Sequence, residues 1–193
     1  MTKEQLLKKF VESFTKFDAL YIPGGWNDIE SVPIEMRAGF DDSVAARPMW
    51  KPIVVRTQRS LLDEIYRTLP GRFPSLYEEL LLSYRWIDID LDDIITLYAN
   101  PSIASLRPVL EEITKDAGLT KVLFPQGLIP FGHPPKPSYD PICFSTHELR
   151  DGDCPILRIE HESVLCRGRI GDVWPIAASF EALMCEIIDR AEK

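Results

Sequence analysis

Between Gly127 and His161 the chain reads GLIPFGHPPKPSYDPICFSTHELRDGDCPILRIEH, and no other stretch limits its fold as tightly. Three short apolar segments, Leu128–Phe131, Asp140–Phe144 and Cys154–Ile159, are separated by turns rich in Pro, Gly and Asp. Proline removes a backbone donor and glycine permits positive φ, so these residues punctuate strands and leave helices unbuilt. The spacing predicts an antiparallel meander. Within it, Asp151-Gly152-Asp153 predicts a tight turn, since Asp-Gly tolerates positive φ.

Helices flank the meander. In residues 3–17, Leu6, Leu7, Phe10, Val11, Phe14 and Phe17 recur at helical spacing, with Thr2 placed to cap the N-terminus. Gln58–Leu69 carries Leu61, Leu62, Ile65, Tyr66 and Leu69 on one side and ends against Pro70-Gly71. A further helix begins at Pro74-Ser75 and turns Leu76, Leu80, Leu81 and Tyr84 inward. Ile103–Ala117 reads as a helix stopped by Gly118, and Ser179 as the cap of a last helix burying Phe180, Leu183, Met184 and Ile187. Short strands are expected at Ile53–Val55, Ile94–Tyr98 and Val122–Phe124. Residues 22–52, with four prolines and three glycines, read as a long irregular connection with a helical turn near Ile34–Arg37. Trp26, Phe40 and Trp50 give that connection apolar surface with which to pack.

Trp86-Ile-Asp-Ile-Asp-Leu-Asp-Asp93 alternates strictly. In a strand, Ile87, Ile89 and Leu91 face the core and Asp88, Asp90 and Asp92 face away. This acidic face has three readings: a solvated sheet face, a surface for a basic partner, or a metal site. The calcium-loop pattern fails, because Asp93 replaces the turn glycine and Ala99 the closing glutamate.

Composition narrows the function. The 193 residues, 45% apolar and 27% charged, are those of a globular chain, and no apolar run is long enough to span a bilayer. The first ten residues, mixed in charge, do not form a secretory leader, so a cytoplasmic location is expected. A net charge of −8 argues against nucleic-acid binding and favours encounter with a basic partner. Cys143, Cys154, Cys166 and Cys185 are expected as free thiols in a reducing compartment. Cys143-x3-His147 and Cys154-x6-His161, with His133 and Asp140, supply zinc-type ligands without a paired-ligand knuckle, so no metal and no cofactor is expected. Pro-Ile-Cys143-Phe is too apolar to activate a thiol, and no nucleophile elbow, phosphate loop or dinucleotide fingerprint is present. The chain is not expected to be an enzyme.

The order "LPGRFPSLYEELLLSYRW", "LIPFG…YDPICF…DGDCPI…HE" and "WPIAASFEAL" resembles the SMI1/KNR4 (SUKH) family over about Leu61 to Ile188. Ser83, Tyr84, Arg85 and Trp86 stand where that family has an Asn-Gly turn. The resemblance implies an α+β fold with a central, mainly antiparallel sheet and helices on one face and one end. An N-terminal helical extension, residues 1–52, would precede a core of residues 53–193 as one compact unit. It also implies protein binding: an immunity protein that neutralises a basic nuclease-type toxin by covering its active site, or a regulatory scaffold or adaptor without a toxin. A metal-dependent or cysteine enzyme is the remote alternative. Tyr139, Asp140 and Glu160, at strand ends, join Asp88, Asp90 and Asp92 as candidate partner-binding residues. The oligomeric state stays open.

Overall fold

The computed structural model describes residues 1–17, 29–41, 47–135 and 138–193. It is an α+β fold built on a six-stranded sheet: β5 (Ile89–Leu91), β6 (Ile95–Leu97), β7 (Leu128–His133), β8 (Ile142–Ser145), β9 (Ile156–Ile159) and β10 (Val173–Ala177). Spatial order equals chain order and every neighbouring pair is antiparallel. The predicted meander is its β7–β8–β9 centre. The turn after β8 is as the Asp-Gly pattern requires, with Asp151 at φ 53° and Gly152 at φ 83°.

Alternation divides the sheet into two faces. Ile129, Phe144 and Ile156 enter the main core, where Phe180 of α7 (Phe180–Ala191) and Tyr77 of α3 (Ser75–Ser83) meet Phe131 and Phe144, and Phe10 of α1 (Lys3–Ser13) meets Phe180. Leu80, Leu81, Phe144, Ile156 and Phe180 are all fully buried, as the periodicity predicts. Leu128, Cys143 and Ile159 point the other way into a smaller core, closed by Leu123 and Val164. These two come from α5 (Ala117–Leu123) and α6 (His161–Arg167), so a second helical layer covers part of the opposite face. The N-terminal stretch is integral to the main core, since Leu6, Phe10, Phe14 and Trp50 are buried in it.

Local chemistry sets the helix ends. Thr2 and Gln5 form a reciprocal capping box on α1. Pro74 precedes α3, and Ser179 accepts from the Ala182 amide at the start of α7. The carboxylate of Asp153 accepts from the Phe180 and Glu181 amides at 2.8 and 3.1 Å, so the turn after β8 holds α7 from outside the helix. Arg85, fully buried, donates to the carbonyls of Leu81 and Tyr84 at 2.6 and 2.7 Å and fastens the end of α3.

Several expectations are corrected. The Ile22–Pro52 connection contains a hairpin, β1 (Arg37–Asp41) with β2 (Arg47–Trp50), after a 3-10 turn at Ile34–Met36. Trp50 is buried, but Phe40 is 56% exposed because it pairs with Pro48 in a lone two-stranded ribbon; Trp26 lies outside the described residues. Ile53–Val55 is shorter than predicted, as β3 (Ile53–Val54) pairing with β4 (Tyr84–Arg85). Gln58–Leu69 forms α2 (Ser60–Tyr66), ending before Pro70. Ile103–Ala117 is α4 (Arg107–Thr114); Gly118 starts α5 rather than stopping α4, because the Asp116 carboxylate caps the Gly118 and Leu119 amides. Val122–Phe124, predicted as strand, finishes α5 and enters a 3-10 turn, the second core overriding β-propensity.

Candidate protein-binding site at the end of the sheet

The acidic segment folds partly as its alternation predicts. Ile87, Ile89 and Leu91 are buried while Asp90 is exposed, its carboxylate held by the hydroxyl of Thr96 across the β5–β6 pair. The strand is only three residues long, however, so the three carboxylates do not form one row. Asp88 lies before it and accepts from the Ala99 amide at 3.0 Å. Asp92 lies after it, in a turn with Asp92 at φ 47° and Asp93 at φ 55°, closed by the Ile94 amide on the Leu91 carbonyl at 3.0 Å. Two successive left-handed residues end the alternation and bring Asp92 to Arg190 of α7, 3.2 Å away. Asp92 then lines an open groove of about 870 Å3 with Cys185, Glu186, Asp189, Arg190 and Lys193.

Tyr139, Asp140 and Glu160 do come together, at the far side of the sheet. Asp140 is not the exposed strand-end carboxylate that its position implies; it is 5% exposed. Arg158 of β9 reaches one Asp140 oxygen with Nε at 2.8 Å and Nη2 at 2.6 Å. His161, at the start of α6, gives the other oxygen its backbone amide at 3.0 Å and Nδ1 at 2.7 Å. Burial would raise this carboxyl, but the bonds from His161, Arg158 and Ser138 outweigh it and hold the group at about 2. The aspartate is therefore ionised and internally saturated. It organises its neighbours and has no free lone pair for a partner.

What it organises is exposed. Tyr139, 68% exposed, stands edge-on to the His161 ring with centroids 6.2 Å apart. Arg158 pairs across strands with Trp174 of β10, and its guanidinium lies 4.8 Å from the centre of the indole. Trp174 remains 40% exposed on the edge strand, beside Val173 at 43%. Glu160 accepts from the Ser163 hydroxyl and donates its amide to the Asp172 carbonyl at 3.0 Å. Sequence reasoning missed Arg158 and Trp174. Their signal was a meander register continued by one strand, which puts them opposite each other.

The cysteines and histidines are dispersed. Cys143 is buried in the small core and Cys154 in the large one, and burial pushes the first thiol up strongly and the second up to about 12. His147 is exposed beside Gly127, while the His133 ring sits 2.6 Å from the Pro134 carbonyl. Among the described residues no three His, Cys, Asp or Glu side chains converge as metal ligands. No helix there is long and apolar enough to cross a membrane. No protein-family model matches this chain, and no curated protein matches it.

Proposed function

We propose that the chain is a protein-binding module of the SMI1/KNR4 immunity type, which neutralises a basic nuclease-type toxin by covering its active site. The observation that carries this reading is the exposure of Tyr139 beside His161 and of Trp174 beside Arg158, the two ends of the Asp140–Arg158–His161 network. Tyr, Trp and Arg are the residue types that dominate protein-interface energetics, and rigid aromatic side chains lose little entropy on docking. The net charge of −8 supports a basic partner by speeding encounter, and the carboxylates of Asp88, Asp90 and Asp92 contribute to that field. Binding to nucleic acid is disfavoured by the same charge. The work would be done in the cytoplasm, where a toxin must be silenced before export.

Co-expression with a secreted protein that has a nuclease-like C-terminus and is encoded in an adjacent reading frame tests this directly. The expected result is a stoichiometric complex in which the nuclease is inactive. Replacing Asp88, Asp90 and Asp92 together by Asn is expected to slow association, most visibly at low salt. An active nuclease in the presence of excess chain would overturn the immunity role, and a stable complex with a different protein would place the chain among regulatory adaptors.

A further inference from the structure

We infer that Asp151-Gly152, in the turn between β8 and β9, is a site of spontaneous backbone modification, where the aspartyl side chain closes onto the glycine nitrogen as a cyclic imide that reopens as isoaspartate. The site owes nothing to the proposed binding function. The sequence contains one Asp-Gly pair and no Asn-Gly pair. Glycine matters because no side chain flanks its nitrogen, so ring closure meets little steric resistance. Asp151 is exposed, and its carboxylate makes no hydrogen bond or ion pair among the described residues. The Gly152 amide likewise donates no hydrogen bond there, whereas the amides of Arg150 and Asp153 close the turn at 2.9 and 3.0 Å. Both reacting groups are therefore free, on residues held at φ 53° and 83°. Other aspartates lack one of these conditions. Asp92 shares the left-handed backbone, but its carboxylate is tied to Arg190 and its neighbour is Asp93. Asp116 and Asp153 cap helix amides, and Asp140 precedes Pro141, which has no amide hydrogen.

The step balances with water as its only external reagent. The Gly152 nitrogen bonds to Cγ of Asp151 in its carboxylic-acid form, the Cγ–OH bond breaks, and that hydroxyl leaves with the amide proton as water. Water then adds to either carbonyl of the ring. Opening at Cγ restores aspartate. Opening at the main-chain carbonyl leaves the chain running through Cβ and Cγ, one atom longer, and frees the old carbonyl as a carboxylate. The extra atom falls where two helices are anchored. The Gly152 carbonyl accepts from the Ser75 amide at the start of α3, 2.7 Å away, and Asp153 holds the first amides of α7. Isoaspartate at this turn therefore loosens both helices, and the folded chain loses stability with age.

The full chain, kept folded at physiological pH and temperature for several weeks, is probed with L-isoaspartyl methyltransferase and labelled S-adenosylmethionine. Peptide mapping then places the label. The expected result is methyl acceptance that rises with time and is confined to the peptide containing Asp151, with a melting temperature that falls in step. Asp151→Asn keeps a residue that tolerates left-handed backbone, and it should close the same ring at least tenfold faster because ammonia leaves in place of water. Circular dichroism checks that this variant starts out folded. Label that forms only after denaturation, label spread over the other aspartates, or an Asp151→Asn chain that ages no faster overturns the inference. Full labelling at Asp151 with an unchanged melting temperature overturns the link to α3 and α7.

Discussion

The rings of Phe131 and Phe144 lie stacked, 3.9 Å between centroids and 11° from parallel. They sit on adjacent strands whose register slips between Pro130 and Gly132, leaving Phe131 without a partner on β8. The slip places both rings under Phe180 of α7, whose own ring meets them edge-on at 6.1 and 5.7 Å.

Truncating that third ring should be expensive. Phe180→Ala is expected to cost on the order of 3–5 kcal/mol, because a fully buried ring between two others leaves a cavity that rigid strands cannot close. Urea unfolding monitored by circular dichroism measures it, and a loss below 1 kcal/mol would mean that the helix moves in to refill the space.

The two caps of α7 are unequal. Asp153 holds the first two amides, Ser179 the Ala182 amide, so Asp153→Ala should cost about 1–2 kcal/mol and Ser179→Ala about 1 or less. Thermal unfolding of the two variants in parallel gives the order, and a larger effect at Ser179 would contradict this division.

Asp140 predicts an acid-side dependence. Its folded value, about 2, lies below its ordinary 3.8, so its contribution is fully present above that ordinary range and is lost as pH falls through about 2. Allowing for solvent screening, it amounts to on the order of 1–2 kcal/mol. Asp140→Asn should therefore be less stable than the parent at neutral pH, with the gap narrowing below about pH 4, where the unfolded parent's carboxyl takes up its proton while the folded one stays ionised down to about pH 2. A gap that persists unchanged down to pH 2 would show that shape rather than charge is what the asparagine lacks.

Thiol chemistry should divide the cysteines by burial. Cys143 and Cys154 are expected to react with Ellman's reagent only after unfolding, whereas the exposed Cys166 reacts in the native protein. Two fast native thiols at positions 143 and 154 would contradict their placement in the two cores.

Period-two alternation made the meander legible, and helical spacing did the same for α1, α3 and α7. Elements governed by tertiary contact were not. Val122-Leu-Phe124 has strand-like composition, yet Leu123 is drawn into the small core by neighbours from β7, β8 and β9. Helix α6 is two turns long and amphipathic only in relation to that same core, so its period was too short to register. Asp92 and Asp93 departed from alternation because a tight turn of left-handed residues intervened, which Asp tolerates better than most residues. At the candidate site, Tyr139, Asp140 and Glu160 were visible as polar residues at strand ends. The burial of Asp140 was not, since it depends on Arg158 and His161, 18 and 21 positions later.

Helix α1 meets α7 through Phe10 and Phe180, whose rings lie 6.3 Å apart although 170 positions separate them. The sheet, whose strands fall between these helices in the sequence, is a chain of neighbours and can assemble strand by strand, although the β6–β7 connection carries α4 and α5. The aromatic core cannot, because one wall comes from each extreme of the sequence. During synthesis the meander would emerge with its phenylalanine face covered only in part, by Phe73 and by Tyr77 of α3, and the late arrival of α7 would seal it. Aggregation risk is thus concentrated in a brief window before that closure. Substitutions weakening the α1–α7 contact should reduce soluble yield more steeply than equilibrium stability alone would forecast.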